Sequence, residues 1–156
     1  MIIADTVRAL GDALKLASEG RHCFPCASSK RPTTPHGFLD ASADPVVLRE
    51  LWANYAGPLV GVRTGLSSGI DVLDLDRKHP EALVWWFSHR DRLPLTRVHR
   101  TRSGGLHLIF RHVPDVRCSA GRIAPGIDVR GDGGYIIWWP GTARSGIRAT
   151  GGLAHA

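Results

Sequence analysis

The chain has no long hydrophobic run. Its longest apolar stretches are IIWW and the residues around LVWWF, far short of the roughly 20 residues that a membrane-spanning helix needs, so no membrane partner is expected. The N-terminus, MIIADTVRALGDALKLASEG, lacks the basic start and unbroken apolar segment of a secretory leader, which points to the cytoplasm. Cysteine is scarce: Cys23, Cys26 and Cys118 make an odd count, which argues against a paired disulfide framework and fits a reducing compartment. Cys23-Phe-Pro-Cys26 has the C-x-x-C form, but no second such pair completes a zinc site, and His22 and His36 are weak substitutes. A buried, Cys-lined apolar strand that ends at a proline is preferred. Internal repeats and low-complexity tracts are also absent.

Acidic residues are the other scarcity, and only in one part of the chain. The first 96 residues hold 11 basic and 11 acidic side chains, whereas the remaining 60 hold 9 and 3, so the whole net charge of +6 is C-terminal. Arg and Lys placed together neutralise phosphates and release counterions. Mild basicity without any such partner is about as common, so charge alone does not decide. If that half does meet single-stranded DNA, binding weakens markedly as salt rises.

With 156 residues and 43% apolar content the chain can bury one core. Val7, Leu10, Leu14 and Ala17 recur at helical spacing after Asp5 and Thr6, which can cap, and Gly20 closes this first helix. From His22 to Ser42 a short strand gives way to a long loop rich in Pro, Ser, Thr and Gly, carrying Lys30 and Arg31. Asp44-Pro45 caps a second helix whose apolar face is Val47, Leu48, Leu51, Trp52 and Tyr55. LVGVRTG, a turn at Ser67 to Gly69 and IDVLDLD then read as neighbouring strands. A third helix runs from Pro80 to about Leu93 with Leu83, Trp86 and Phe87 inward. RVHRTR, LHLIFRH, an irregular stretch, GIDVRG and YIIWWPG follow as strands and turns. In the last of these Trp138 and Trp139 alternate, so at most one faces the core. The pattern is an α+β fold with a mixed, largely antiparallel sheet and flanking helices, not a doubly wound one. Residues 1–145 form the domain and 146–156 a flexible tail or linker.

Three short segments carry chemistry. In IDVLDLD the alternation of a strand puts Asp74 and Asp76 on one face, and two adjacent, partly buried carboxylates are costly without a cation. Hard oxygen ligands suit Mg²⁺ or Mn²⁺, although a lone D-x-D more often marks only the exposed end of a strand. In TRSGGLHLIF, Ser103-Gly104-Gly105 makes a tight turn whose N–H groups can approach an anion, and His107 opens the next strand, placed to donate to a phosphate oxygen or move a proton. A hairpin turn and a structural histidine explain those residues equally well. In GIDVRGDGG, Asp128 and Arg130 share a face: Asp128 as third metal ligand, Arg130 near the same phosphates. Asp132-Gly133-Gly134 is a turn with no chemistry.

The order D-x-D, S-G-G-x-H, I-D-V-R-G resembles the archaeo-eukaryotic primase superfamily, and more narrowly the bifunctional DNA primase/polymerase N-terminal domain of plasmid, phage and prophage replication proteins. FPCASSKRPTTPHGFLDASADP and GVRTGLSSGIDVLDLD extend the likeness to roughly residues 10 to 140. It implies a primase-like catalytic core with an RRM-like half and a template-directed nucleotidyltransferase that uses two divalent metals, Mg²⁺ or Mn²⁺. Carried over by position, it implies metal roles for Asp74, Asp76 and Asp128 and a triphosphate contact for His107, so these four are the catalytic candidates. Ser103 and Gly104 would help hold the triphosphate, and Lys30, Arg63, Thr64 and Arg130 are further nucleotide-binding candidates from similar segments. Partners would be nucleoside triphosphates, a single-stranded DNA template along the Arg-rich half and a replicative helicase domain.

Relatives usually end in a proline-rich segment where this chain has YIIWWPGT. Only 20 residues separate His107 from Asp128, so the zinc-bearing insertion of some relatives is missing. Accessory helices and a helicase do not fit in this length, so a fragment or a minimal stand-alone domain is expected. Two rival functions stay open: a nucleotide- or single-stranded-DNA-binding module without turnover, and a metal-dependent phosphodiester hydrolase.

Overall fold

The computed structural model describes residues 2–139. Its elements are α1 (Ile2–Ser18), β1 (Cys23–Cys26), α2 (Pro45–Asn54), β2 (Leu59–Arg63), β3 (Ile70–Leu75), α3 (Pro80–His89), β4 (Arg97–Arg100), β5 (Leu106–Arg111), β6 (Ser119–Ala124), β7 (Ile127–Arg130) and β8 (Tyr135–Ile137). The expected α+β class is found, and every pairing between these strands is antiparallel. Among the described residues no helix is long and apolar enough to cross a membrane. The sequence pattern shows no internal boundary, yet the chain gathers into two compact units, residues up to Gly69 with Gly134–Trp138, and Ile70–Gly133 with Trp139. The tail expected over 146–156 lies outside the described residues.

The first unit carries the sheet β1-β2-β8, with α1 and α2 packed on its strands. The α2 start follows from its sequence: Asp44 Oδ1 accepts the Val46 N–H at 2.7 Å, and Pro45 sits where no N–H is needed. Leu48 and Trp52, one turn apart, are its buried face. α1 departs from expectation, because it begins at Ile2, ahead of Asp5 and Thr6, and buries Ala9, Ala13, Leu16 and Ala17 while Val7 is exposed. The small residues let the helix lie close, and Val7 falls outside that stripe. Gly20 closes the helix as expected, with its N–H on Ala17 O and that of Arg21 on Leu16 O.

Cys23 and Cys26 are free thiols on a fully buried strand. Three residues apart on a strand, they point to opposite faces, and burial pushes both thiols up to about 12. They are core packing groups. Pro25 lies inside the strand, which ends at Cys26 rather than at the proline.

The second unit carries the sheet β4-β5-β3-β7-β6. One face packs on α3, where Leu75, Ala82, Trp86, Leu108, Phe110 and Ile127 form a core. α3 stops at His89, and a 3₁₀ turn at Arg90–Arg92 carries the chain to Leu93. Phe87 is exposed instead of buried; Ala82 and Trp86, spaced i and i+4, take the inward positions, and Trp85 stacks on His89 at 4.5 Å.

Two further expectations are corrected. β2 and β3 are not neighbours, for they belong to different sheets. Gly65 and Gly69 both adopt left-handed φ (79° and 67°), and the Gly69 N–H closes on Gly65 O, so the intervening turn redirects the chain instead of folding it back. The stretch read as irregular contains β6, an edge strand with a register shift and four exposed central residues, whose sequence therefore shows no alternation.

Candidate functional site

The registers of the five-stranded sheet bring the chemistry together in one transverse row. His99 on β4 faces His107 on β5, His107 faces Asp74 on β3, and Asp74 faces Asp128 on β7. Directly paired residues project to the same side of a sheet, so all four side chains share the face opposite α3. The pattern of IDVLDLD explains this: Leu73 and Leu75 belong to the core on the α3 side, which turns Asp74 the other way.

His107 is buried. Its Nε2 lies 3.5 Å from Asp74 Oδ1, and its Nδ1, also buried, has no hydrogen-bond partner among the described residues. Asp74 and Asp128 are both 29% exposed, open enough to meet a ligand. The Arg130 guanidinium lies against both, with Nη2 at 3.0 Å from Asp128 Oδ2 and 4.0 Å from Asp74 Oδ2. The second oxygen of Asp128 accepts the Gly121 N–H at 3.0 Å, a tie from the edge strand that orients the carboxylate.

Asp76 stands one residue past the end of β3. Its N–H continues the ladder to Gly126 O at 2.7 Å, but its exposed carboxylate accepts the Lys78 N–H at 3.0 Å, in a turn leading into α3. Among the described residues no three His, Cys, Asp or Glu side chains are grouped as they would be around a metal ion. Asp74 and Asp128 nevertheless fit a hard divalent ion by donor type and placement, and Arg130 supplies positive charge beside both.

The Ser103-Gly104-Gly105 turn joins β4 to β5. Two of its N–H groups are used internally: that of Gly104 on Thr101 O and that of Gly105 on Thr101 Oγ1, both at 2.9 Å. Ser103 is exposed, with its hydroxyl 3.2 Å from Thr101 Oγ1. A Cβ at residue 105 would stand 2.4 Å from Leu75 O, so glycine there lets the turn press against the end of β3, beside the row.

Lys30, Arg63 and Thr64 belong to the first unit. Lys30 and Arg63 gather around a pair of rings: Phe38 and Tyr135 stack at 6.1 Å, the Tyr135 hydroxyl donates to Lys30 O at 3.3 Å, and Arg63 lies over Phe38 at 5.6 Å. Thr64 is buried, its N–H on Gly134 O. Of the two tryptophans after β8, Trp139 is buried and Trp138 half-buried, as alternation requires.

Two features escape a reading of the sequence. His99 is buried to 2% exposure, and its imidazole pKa is pushed down to about 4 by burial first, then by His107 and Arg97. Its place two residues after Arg97, in a strand of period two, is the only signal, and it becomes meaningful once β4 is paired with β5. The other is a buried cluster in which Asp71 accepts from His112 Nδ1 and from the Val113 N–H, both at 2.8 Å, with His112 Nε2 3.7 Å from Asp132. It ties together the start of β3 and the segments after β5 and β7, so Asp132 contributes to more than a turn.

A search of the curated proteins finds no match. The family model for the bifunctional DNA primase/polymerase N-terminal domain matches residues 13–151, nearly the whole chain. The chain therefore belongs to the bifunctional DNA primase/polymerase N-terminal family, and its function is of the DNA primase or polymerase type, with nucleotides and DNA as ligands.

Proposed function

We propose that the chain is a template-directed nucleotidyltransferase that joins nucleotides on single-stranded DNA, with the transverse row as its reaction centre. The observation that carries this reading is the placement of Asp74 directly between His107 and Asp128. Asp74 and Asp128 would hold Mg²⁺ or Mn²⁺, with waters and triphosphate oxygens completing the coordination, and Asp76 would join them on leaving the Lys78 N–H. When bound, such ions lower the pKa of an attacking 3′-hydroxyl and balance charge as pyrophosphate leaves.

The chain's own groups do the positioning. His107, with one ring nitrogen unpartnered among the described residues, hydrogen-bonds a triphosphate oxygen, which offsets the cost of leaving a buried polar atom unsatisfied. The Ser103 hydroxyl reaches the same triphosphate, with Gly104 keeping the turn open, and Arg130 is a further nucleotide contact, while Lys30, Arg63 and Thr64 are nucleotide-binding candidates of the first unit. The exposed Arg100, Arg102, Arg111, Arg117 and Arg122 face the template backbone. Single-strand affinity is then expected to fall with a log–log salt slope of about −0.7 per neutralised phosphate. A flat response in a fluorescence-anisotropy titration would remove these arginines from the contact surface.

A second reading, a nucleotide- or DNA-binding module without turnover, is favoured by one observation: the Arg130 guanidinium already lies against both carboxylates. Incorporation of labelled nucleotide on a single-stranded template with Mg²⁺ or Mn²⁺ separates the readings. Extension products support the transferase. Tight binding with no product under either metal supports the binding module, and shortened strands indicate a phosphodiester hydrolase.

A further inference from the structure

We propose that Thr101 is a positioning residue for the Ser103-Gly104-Gly105 turn: its hydroxyl, anchored by the Gly105 N–H, donates to Ser103 and so aims the Ser103 proton at a bound phosphate oxygen. The proposal rests on the reading of that turn as a triphosphate contact.

Thr101 stands just past the end of β4, where its N–H continues the ladder to Gly105 O at 2.9 Å. Two residues on from His99, it follows the alternation of the strand to the face that carries the row. Thr101 is buried, and three groups of the turn converge on it. The Gly104 N–H donates to its carbonyl and the Gly105 N–H to its Oγ1, both at 2.9 Å, while Ser103 Oγ lies 3.2 Å from that same Oγ1. A Cβ at residue 105 would come within 3.1 Å of this hydroxyl as well as 2.4 Å of Leu75 O, so glycine leaves the room in which amide and hydroxyl meet.

Proton counting gives the chain of contacts a direction. An N–H can only donate, so the Gly105 amide takes a lone pair of Thr101 Oγ1, and that oxygen still has its own proton to place. Without an anion either hydroxyl can donate across the 3.2 Å contact. An ionised phosphate oxygen only accepts, so a Ser103 hydroxyl that holds one is the donor there, and its oxygen is left to accept from Thr101. The result is a one-way run from the Gly105 amide through Thr101 and Ser103 to the anion, in which each bond polarises the next. Threonine suits the inner place because its branched Cβ restricts χ1.

The experiment measures dATP and ATP binding to the full chain by isothermal titration calorimetry with Mg²⁺, with circular dichroism melting as the fold control. Thr101→Val, which keeps the shape and removes the hydroxyl, is expected to weaken binding about tenfold, the scale of one hydrogen bond to a charged group. Ser103→Ala should weaken it by a similar factor, and the double variant by little more than either alone, because both substitutions remove the same donor to phosphate. Thr101→Ser, which keeps the hydroxyl, should stay within about twofold of the parent. If Thr101→Val does not fold, Thr101→Ala takes its place in the cycle. Equal losses in Thr101→Ser and Thr101→Val assign the effect to packing and overturn the proposal, as does a double variant whose losses multiply to about a hundredfold. Ser103 is exposed, so Ser103→Ala keeps the fold, and unchanged affinity in that variant overturns the relay by itself while leaving the nucleotide site standing. No binding of either nucleotide by the parent at millimolar concentration overturns the nucleotide reading, and this proposal with it.

Discussion

Asp74→Asn is expected to lower nucleotide incorporation on the order of 10³-fold, equivalent to about 4 kcal/mol of transition-state stabilisation, while leaving the fold intact. The substitution is isosteric: it removes the charge and replaces one acceptor oxygen with an NH₂ donor. Asp74 pairs with His107 on one side and Asp128 on the other, so the lost anion is the one in the middle of the row. The scaffold has little reason to change: the backbone ladder is untouched, and the shorter Arg130 contact, 3.0 Å to Asp128, remains. A matching variant, Asp76→Asn, sharpens the comparison. Asn also accepts the Lys78 N–H, so the turn into α3 persists and only the charge is lost. A comparable loss in that variant would make Asp76 a ligand of equal weight, and a small loss would leave it a turn residue. Primer extension, with circular dichroism melting as the fold control, reads both. Full activity in Asp74→Asn would remove the row from the chemistry.

The second large effect concerns acid. His99 titrates near 4 in the folded chain and at an ordinary value of 6.5 when unfolded. Between those values the unfolded chain takes up a proton that the folded one refuses. Stability therefore falls as pH drops through 6.5 and stops falling, for this group, below about 4. The whole interval corresponds to roughly 3 kcal/mol, a large share of the 5–15 kcal/mol typical of a domain. The physical cause is a charge that would appear at 2% exposure beside His107 and Arg97. In urea melts between pH 4 and pH 7, His99→Gln should show a visibly shallower loss than the parent. Identical pH slopes in the two proteins would mean that His99 does not carry the penalty.

Much of the site was legible because its elements are strongly patterned. IDVLDLD, LHLIF and IDVR alternate, and that alternation is what faces Asp74, His107 and Asp128 away from α3. Asp44-Pro45 announces α2 through chemistry that is purely local. What stayed hidden depended on register or edge position. GLSSG reads as a hairpin turn until its two glycines are seen with left-handed φ and its flanking strands in separate sheets. β6 has no buried face to imprint a period. Phe87 looked like a core residue by its type, but the inward positions of α3 went to Ala82 and Trp86. His99 is one imidazole in a basic strand, and nothing local distinguishes it from a solvated residue; its partner lies eight positions on, across a turn.

The row draws its members from four strands, and Asp74 and Asp128 are separated by more than fifty residues of chain. No hairpin taken alone contains both carboxylates, so a nascent or truncated polypeptide ending before Asp128 lacks one of them altogether. The row and the completed five-stranded sheet of this unit therefore arrive together, because the strand that brings Asp128 is also the one that links β3 to β6.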